Sequence, residues 1–248
     1  MKNSLQEGLP VPGQNPSYAL KAVEQERQAA QLMVECREMP EFAKDNLESF
    51  RRAFLSAAPC NLKQAWLAAP ESDFREGQVR IGWQKNSLLV FAELTDADIF
   101  SASIDANYPS WEAGDVFEIF LRPYGQSEYV EFHVTPDNRR LQLRFDDPKM
   151  VDQVRKDRSV QSVMIPGDYF QSRTWVFPES QKWFVYAEIP ASSVAFNVYV
   201  LKGSRWHFSF CRYDYRRGGK SPVISSTSPH IVPDFHRLHE WGLMSFQG

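Results

Sequence analysis

The sequence predicts a mainly β protein, an antiparallel sandwich of the jelly-roll or immunoglobulin-like kind with a helical extension at its N-terminus. Aromatic residues make up 14% of the chain, and aromatic side chains favour strands. Short apolar segments separated by turns recur from residue 79 to residue 246, with little helical pattern between them. At ~150 residues per domain, a chain of 248 residues suffices for one sandwich with a sizeable core.

The N-terminal quarter of the chain has a different amino-acid composition. Residues 1–16 are rich in Pro, Gly and Asn and predict a loose leader. Ser17 is a suitable helix N-cap, and Glu, Gln, Ala and Arg then dominate as far as Met39, which favours a first helix. Pro40 ends that pattern. Residues 17–58 are therefore predicted to form a helical extension.

A second helix is predicted within this extension. Leu47, Phe50 and Phe54 follow an i, i+3, i+7 spacing and form one apolar stripe. Such a stripe must be covered, and the main domain is the expected cover. The alternative is that residues 17–58 contact a protein partner.

Residues 59–248 are predicted to form the sandwich domain. Residues 129–135 show the clearest alternation, with Val130, Phe132 and Val134 on one face and Tyr129, Glu131 and His133 on the other. Residues 146–160 are charged and predict a loop. The full set of predicted strands is 79–83, 88–94, 115–121, 129–135, 141–145, 173–177, 183–189, 206–213 and 241–246.

Charge and cysteine content exclude several classes of function. The net charge of −3 provides no global field for a nucleic-acid backbone or an anionic membrane. Cys36, Cys60 and Cys211 are odd in number and far apart, so reduced thiols are expected. The first residues lack an apolar segment and no run approaches ~18 apolar residues. The default expectation is a cytoplasmic protein, or an extracellular or periplasmic one if a leader has been removed.

Motifs for catalysis and metal binding are weak. There is no phosphate loop, GxGxxG, GxSxG or HExxH. His236 and His239 have a spacing that suits a metal on a helix, but no third ligand is evident. Asp96 and Asp98 follow a strand, where oxygen ligands for calcium often collect; a solvated Asx turn is the alternative.

Glu118 is the one charge in an apolar strand. A carboxylate in that place is costly unless something hydrogen-bonds it. Either an internal arginine pairs with it, for which Arg212 is the candidate, or it faces a polar ligand. A third interpretation pairs Glu118 with Glu131 as an acid and base of a hydrolase.

Trp111 lies in a predicted loop with Pro109 and Gly114. A tryptophan in a strand is usually explained by packing in the core, and this explanation applies less well to a tryptophan in a loop. A pyranose presents an apolar C–H face and polar hydroxyls. A sugar site therefore combines an aromatic platform with charged hydrogen-bonding groups.

The order of several motifs resembles family 9 carbohydrate-binding modules, which are DOMON-like sandwiches. Residues 111–120 (WEAGDVFEIF) resemble the W-x(2,3)-D-x-x-E-I-F signature of that family. Residues 88–96 and 129–134 resemble its neighbouring strands, residues 187–190 its E-x-x-I-P step, and residues 206–212 its W-x-x-N-F-x-R strand, with Ser209 in place of Asn. Residues 233–243 resemble its P-D-F-H…F-G-x-L ending. The resemblance covers residues 61–248.

In that family a sugar is held between two tryptophans, with charged residues on its hydroxyls, and calcium supports the fold in some members. The resemblance implies that Trp111 is one platform and Glu118 a hydroxyl-binding carboxylate, and it puts His133 where a family member has an arginine. The second platform falls near Ser226, where no tryptophan stands; Tyr213 or Tyr215 could replace it.

The sequence therefore predicts a non-catalytic carbohydrate-binding protein. The expected ligand is a mono- or oligosaccharide, and the predicted site is Trp111, Glu118, His133, Arg212 and Tyr213. No cofactor is expected, and Asp96 and Asp98 are weak candidates for a structural calcium. The alternatives are a degenerate sandwich that serves as a protein-interaction scaffold, or a haem-binding or hydrolytic DOMON-like protein.

Overall fold

A computed structural model describes residues 32–101, 109–112, 114–219 and 221–248. The predicted leader, residues 1–16, and the first part of the predicted helical extension, residues 17–31, lie outside the described residues. No helix in the described part of the chain is long and apolar enough to cross a membrane.

Twelve strands dominate the described residues. They are β1 (Met33–Glu38), β2 (Cys60–Asn61), β3 (Gly77–Gln84), β4 (Ser87–Thr95), β5 (Val116–Pro123), β6 (Tyr129–Val134), β7 (Arg140–Phe145), β8 (Gln171–Phe177), β9 (Lys182–Pro190), β10 (Arg205–Asp214), β11 (Val223–Ser226) and β12 (Gly242–Gln247). The predicted strands all have a counterpart among them, and β1, β2 and β11 were not predicted.

The strands form one sheet in the order β7-β6-β5-β10-β12-β1-β3-β4-β9-β8, with β2 added beside β3 and β11 beside β10. β1 runs parallel to both of its neighbours, β12 and β3, and the other pairs are antiparallel. The sheet is therefore mixed, which corrects the prediction of a purely antiparallel one.

The strand β1 corrects the first predicted helix over Met33–Glu38. Glu35 and Arg37 are exposed, whereas Val34 is half-buried and Cys36 is fully buried. This two-residue period is that of a strand. The helix-favouring composition is a weak preference, and two β-ladders together with burial of Cys36 override it.

The sheet curls so that its two halves share one core, which confirms the predicted sandwich. Val90 of β4 and Val185 of β9 belong to the same buried cluster as Phe117 of β5 and Phe210 of β10. The rings of Phe117 and Phe210 stack with centroids 6.1 Å apart. The opposite face of β5, β6 and β10 remains available for a site.

Three α-helices within the described residues flank the sheet: α1 (Leu47–Phe54), α2 (Met150–Asp157) and α3 (Ala191–Val194). α1 confirms the predicted second helix. Its N-cap is Asn46, and its apolar stripe packs on the sheet through Phe50 against Tyr186, 4.5 Å between ring centroids, and Phe54 against Phe91, 5.4 Å. α2 occupies part of the segment predicted as a loop.

Candidate functional site

The register of β5, β6 and β10 places the polar residues of the candidate site next to one another. Glu118 of β5 stands opposite His133 of β6 and Cys211 of β10. Two residues further along β5, Phe120 stands opposite Glu131 of β6. Because opposed residues of neighbouring strands point to the same side, the acidic and histidine side chains project together from the face turned away from the sandwich core.

A pocket of about 200 Å³, open on one side, lies over this face. Trp111, Tyr213 and Phe235 supply aromatic surface, and Glu118, Glu131 and His236 supply polar groups. Apolar side chains of β7 (Leu143, Phe145), of α2 (Val151, Val154) and of the segment after α2 (Val160) form another part of the wall, and Arg155 and Asp234 also line it. Trp111 and Glu118 thus line one pocket, as the sequence-based hypothesis requires.

The polar groups are held by short contacts. The Nε2 atom of His133 lies 2.6 Å from Oε1 of Glu131 and 3.5 Å from Oε1 of Glu118. His133 itself is not a lining residue of the pocket and is fully buried. It therefore positions the two carboxylates from behind, whereas the resemblance implied that it replaces a sugar-contacting arginine.

Burial and proximity shift the protonation of these groups. Burial raises the pKa of Glu118 to about 8. Burial also acts to raise the pKa of Glu131, but the hydrogen bond and charge of His133 outweigh it and lower that pKa. Burial acts to lower the pKa of His133, but Glu118 and Glu131 outweigh it and raise that pKa. A proton is therefore held more readily by Glu118 than by Glu131.

Trp111 is held by Tyr215, the residue directly after β10. The short 3₁₀ turn that carries Trp111, Ser110–Glu112, precedes β5 directly. The hydroxyl of Tyr215 donates a 2.5 Å hydrogen bond to the main-chain oxygen of Trp111. Asp115, the aspartate of the motif, accepts main-chain N–H bonds from Tyr215 at 2.8 Å and from Phe100 at 2.7 Å. Tyr215 thus holds the main chain of Trp111 without being a lining residue of the pocket.

The ring of Trp111 meets His133 edge-on, with centroids 5.3 Å apart. The indole therefore contacts the histidine that lies beside the two acids, and it is half-buried. Tyr213 lies on β10 two residues beyond Cys211 and faces the same pocket. The sequence predicted both Trp111 and Tyr213 as binding residues, and the structure brings both to this pocket.

Arg212 is not in the pocket, and it does not pair with Glu118. It stands opposite Phe117, on the core side of the sheet, because neighbouring residues of a strand point to opposite faces. Its guanidinium donates to the main-chain oxygen of Thr95 at 2.6 Å and to Asp96 at 2.9 Å, and it lies 3.2 Å from Asp214. This corrects the proposed Arg212–Glu118 pair.

Asp96 and Asp98 have arginine partners. Asp96 is fully buried against Arg212, and it also accepts the main-chain N–H of Asp98 at 2.9 Å, as in an Asx turn. Asp98 forms an ion pair with Arg217. Calcium at Asp96 and Asp98 stays a prediction.

Ser226 is fully buried on β11 opposite Cys211, and its hydroxyl lies 3.0 Å from that of Ser209. It does not line the pocket. The side chains of the segment before β12, Phe235 and His236, do line it, and sequence reasoning did not assign them to the site. Their P-D-F-H motif was the available indication.

The fold is similar to that of known carbohydrate-binding proteins. A protein from Bacteroides uniformis ATCC 8492, whose carbohydrate-binding function is itself only proposed, matches with a TM-score of 0.66 and 16% identity over 88% of this chain and 100% of that chain. A family 9 carbohydrate-binding module from Caldicellulosiruptor kristjanssonii in complex with cellotriose matches with a TM-score of 0.58 and 15% identity, over 87% and 94% of the two chains.

A family 9 carbohydrate-binding module from the same organism in complex with glucose matches with a TM-score of 0.55 and 15% identity, over 88% of this chain and 95% of that chain. No protein-family model matches the sequence, and no curated protein matches it significantly. The chain therefore has the fold of a family 9-like carbohydrate-binding module, at low sequence identity.

Proposed function

We propose that the protein binds a carbohydrate in the pocket between Trp111 and Tyr213. Ligand pockets usually measure about 300–1,000 Å³, so the smaller volume of about 200 Å³ suits one sugar ring, with any further rings outside. The single observation that supports this most is that a half-buried loop tryptophan and a buried strand carboxylate line one open pocket.

The chemistry of the two walls suits a pyranose. The indole of Trp111 offers an apolar surface to the C–H face of the ring. Tyr213 and Phe235 supply the second aromatic side, in place of the tryptophan that is missing near Ser226. Glu118 and Glu131 supply carboxyl oxygens for hydroxyl groups, and a hydrogen bond to the ionised carboxylate of Glu131 is stronger than a neutral one.

The same geometry favours binding over catalysis. Glu118, Glu131 and His133 each place a ligand atom within 4.8 Å of the others, with the imidazole between the two acids. Glycosidases place their two carboxyl groups on either side of the scissile bond, about 5–10 Å apart depending on the mechanism. Here both acids lie on one side, at the end of the pocket formed by the sheet.

Isothermal titration calorimetry with glucose, cellobiose, cellotriose and galactose- and mannose-based sugars tests the proposal. We expect the wild-type protein to bind at least one of them and Trp111→Ala to weaken that binding by about tenfold to a hundredfold, since loss of one platform costs ~1–3 kcal/mol. Tyr199→Ala, at an exposed tyrosine outside the pocket, should bind like the wild type. No heat with any sugar would overturn the proposal.

A protein partner on residues 17–58 remains a prediction. In the described part of this segment, the apolar stripe of α1 is already packed on Phe91 and Tyr186. A partner would therefore have to use other surfaces of the segment.

A further inference from the structure

The floor of the pocket, formed by Glu118 of β5 and Glu131 of β6, carries acid that the lining does not neutralise. The one arginine among the lining residues, Arg155, is paired with Asp234 at 2.7 Å, so its charge is already compensated. No lysine of the described residues lines the pocket. The lining therefore includes two carboxylates and no unpaired guanidinium or ammonium group.

His133 compensates only one of these two acids. Its Nε2 atom lies 2.6 Å from Oε1 of Glu131 and 3.5 Å from Oε1 of Glu118, and the residue itself does not line the pocket. One imidazole carries at most one positive charge. Burial raises the pKa of Glu118 to about 8, and the charge of Glu131 adds to this against the opposing effect of His133. The ionised form of Glu118 therefore lacks a sufficient positive partner.

One oxygen of the pocket floor has no hydrogen-bond partner. Oε1 of Glu131 is bound to His133, but Oε2 of the same carboxylate accepts no hydrogen bond from any described residue. Nε2 of His236 lies 3.7 Å from Oε2, beyond hydrogen-bond distance. Glu131 is only 4% exposed and lines the pocket. A buried carboxylate oxygen without a donor is costly, because it has lost its water without replacement.

Three aromatic side chains, Trp111, Tyr213 and Phe235, line the pocket together with these acids. The face of an aromatic ring carries negative charge density and attracts cations, and this attraction is stronger where water is excluded. The rings and the two carboxylates therefore favour a positively charged ligand over a neutral or a negative one.

We propose that Glu118 and Glu131 form a subsite for an ammonium group, so that the carbohydrate is an amino sugar, a hexose whose ring carries a protonated amine. This inference rests on the proposed function and names its class of ligand. A hydroxyl group donates one hydrogen bond, whereas an ammonium group donates three and carries a full positive charge. One ammonium group can therefore donate to both acids at once.

The separation of the two acids suits a single nitrogen atom. Carboxylate oxygens of Glu118 and Glu131 lie within 4.8 Å of each other. Hydrogen bonds from a charged nitrogen to a carboxylate measure ~2.7–2.9 Å, so one nitrogen can contact two oxygens that are up to ~5.6 Å apart. The same two acids disfavour a uronic acid, because like charges repel strongly where water is excluded.

Calorimetry with sugars that differ in charge tests the subsite. Glucosamine is compared with glucose, and galactosamine with galactose, on the full chain at mildly acidic pH, where the amines are protonated. We expect the amino sugar of at least one pair to bind at least about tenfold more tightly than its neutral counterpart. Glucuronate should bind more weakly than glucose. No preference for the amino sugar in either pair would overturn the inference.

N-acetylglucosamine is the control for shape, because its nitrogen is uncharged. It should not share the gain in affinity that the ammonium group gives to glucosamine. Binding of N-acetylglucosamine as tight as that of glucosamine would mean that the positive charge is not recognised, and it would overturn the inference.

Glu131→Gln tests the assignment of the subsite to the pocket floor. The change removes the charge and keeps the shape, so we expect the ratio of amino-sugar affinity to neutral-sugar affinity to fall about tenfold. The ratio is measured because Glu131 also contacts neutral sugars in the proposed function. Glu48→Gln, at an exposed position of α1, is the matched control and should keep the wild-type ratio. If Glu131→Gln does not fold, Glu118→Gln replaces it.

An unchanged ratio in the folded pocket variant, or an equal fall in Glu48→Gln, would show that the pocket acids do not bind the amine.

Cyclohexylammonium separates this inference from the proposed function, since it has a ring and an ammonium group but no hydroxyl groups. Glucose that binds as tightly as glucosamine, with galactose as tight as galactosamine, would refute the ammonium subsite alone. Cyclohexylammonium that binds as tightly as glucosamine, without binding of any neutral sugar, would refute the carbohydrate proposal and leave the ammonium subsite in place.

Discussion

The hydroxyl of Tyr215 donates a 2.5 Å hydrogen bond to the main-chain oxygen of Trp111, so the residue directly after β10 fixes the turn that carries the proposed sugar platform. Asp115 reinforces the connection by accepting the main-chain N–H of Tyr215. The platform is therefore positioned by a residue that lies outside the pocket.

Tyr215→Phe tests this positioning role. The change removes one hydrogen bond, worth about 1 kcal/mol, and leaves the aromatic ring. We expect sugar affinity to fall about fivefold, with a small decrease in the melting temperature, as measured by calorimetry and thermal unfolding. Tyr199→Phe is the matched control. Equal affinity in Tyr215→Phe and the wild type would show that the bond does not position Trp111 for binding.

Arg212→Ala should destabilise the fold strongly. Arg212 is buried against Asp96 and Asp214, and removing one partner of a buried ion pair costs ~3–5 kcal/mol because a charge remains without compensation. Chemical denaturation measures this loss. Arg217→Ala, at an exposed ion pair with Asp98, should change the free energy of unfolding by at most ~1 kcal/mol.

The same variant decides between two roles for Arg212. The sequence assigned it to ligand binding, whereas the structure places it on the core side of the sheet. Reduced sugar affinity with unchanged unfolding would contradict the structural role.

Phe54→Ala should show that α1 is an integral part of the sandwich. Phe54 is fully buried and stacks on Phe91 at 5.4 Å, and truncating a buried phenylalanine costs ~3–5 kcal/mol. Leu55→Ala, at the adjacent exposed position, should change the free energy of unfolding by no more than ~0.5 kcal/mol. Similar unfolding curves for the two variants would mean that α1 does not stabilise the sheet.

His207 should remain neutral in moderately acidic solution. Burial lowers its pKa to about 4, and the charges of Arg122 and Arg205 contribute. Because the folded pKa lies below the ordinary value of ~6.5, the folded state binds this proton less readily than the unfolded chain. The stability associated with His207 is present above pH ~6.5 and is lost as pH falls through that value towards 4.

An NMR titration of the His207 ring measures this pKa directly. Arg205→Gln removes one repelling charge and should raise the pKa of His207, whereas Arg139→Gln, at a partly exposed arginine on another turn, should leave it unchanged. An ordinary pKa for His207 in the wild type would contradict the prediction.

Local sequence patterns were sufficient to predict which residues share one face of a strand or of a helix. The alternation around Glu118 predicted which residues share its face, and the spacing of Leu47, Phe50 and Phe54 predicted α1. Each pattern depends only on the geometry of one strand or one helix. Trp111 was identified because an indole in a loop has little reason to be buried.

Arg212 shows where such reasoning ends. Its type suggested a partner for Glu118, but its position, one residue after Cys211, turns it to the opposite face. The prediction paired Arg212 with Glu118 because their charges are opposite, but the position of Arg212 in the strand places its side chain on the other face of the sheet. The helix-like composition before Met39 was misleading for a related reason, since long-range pairing of β1 overrode a weak local preference.

The amino-acid sequence by itself determined nine of the twelve strands of the described residues, the sandwich class and the pocket residues Trp111 and Glu118, because these follow from periodicity and from the order of short motifs. Only the tertiary structure decided that β1 joins the sheet in parallel, that His133 lies behind the two acids, and that Phe235 and His236 complete the pocket. Those facts depend on which distant segments become neighbours, and the free energy that selects neighbours is distributed over the packing of the whole chain.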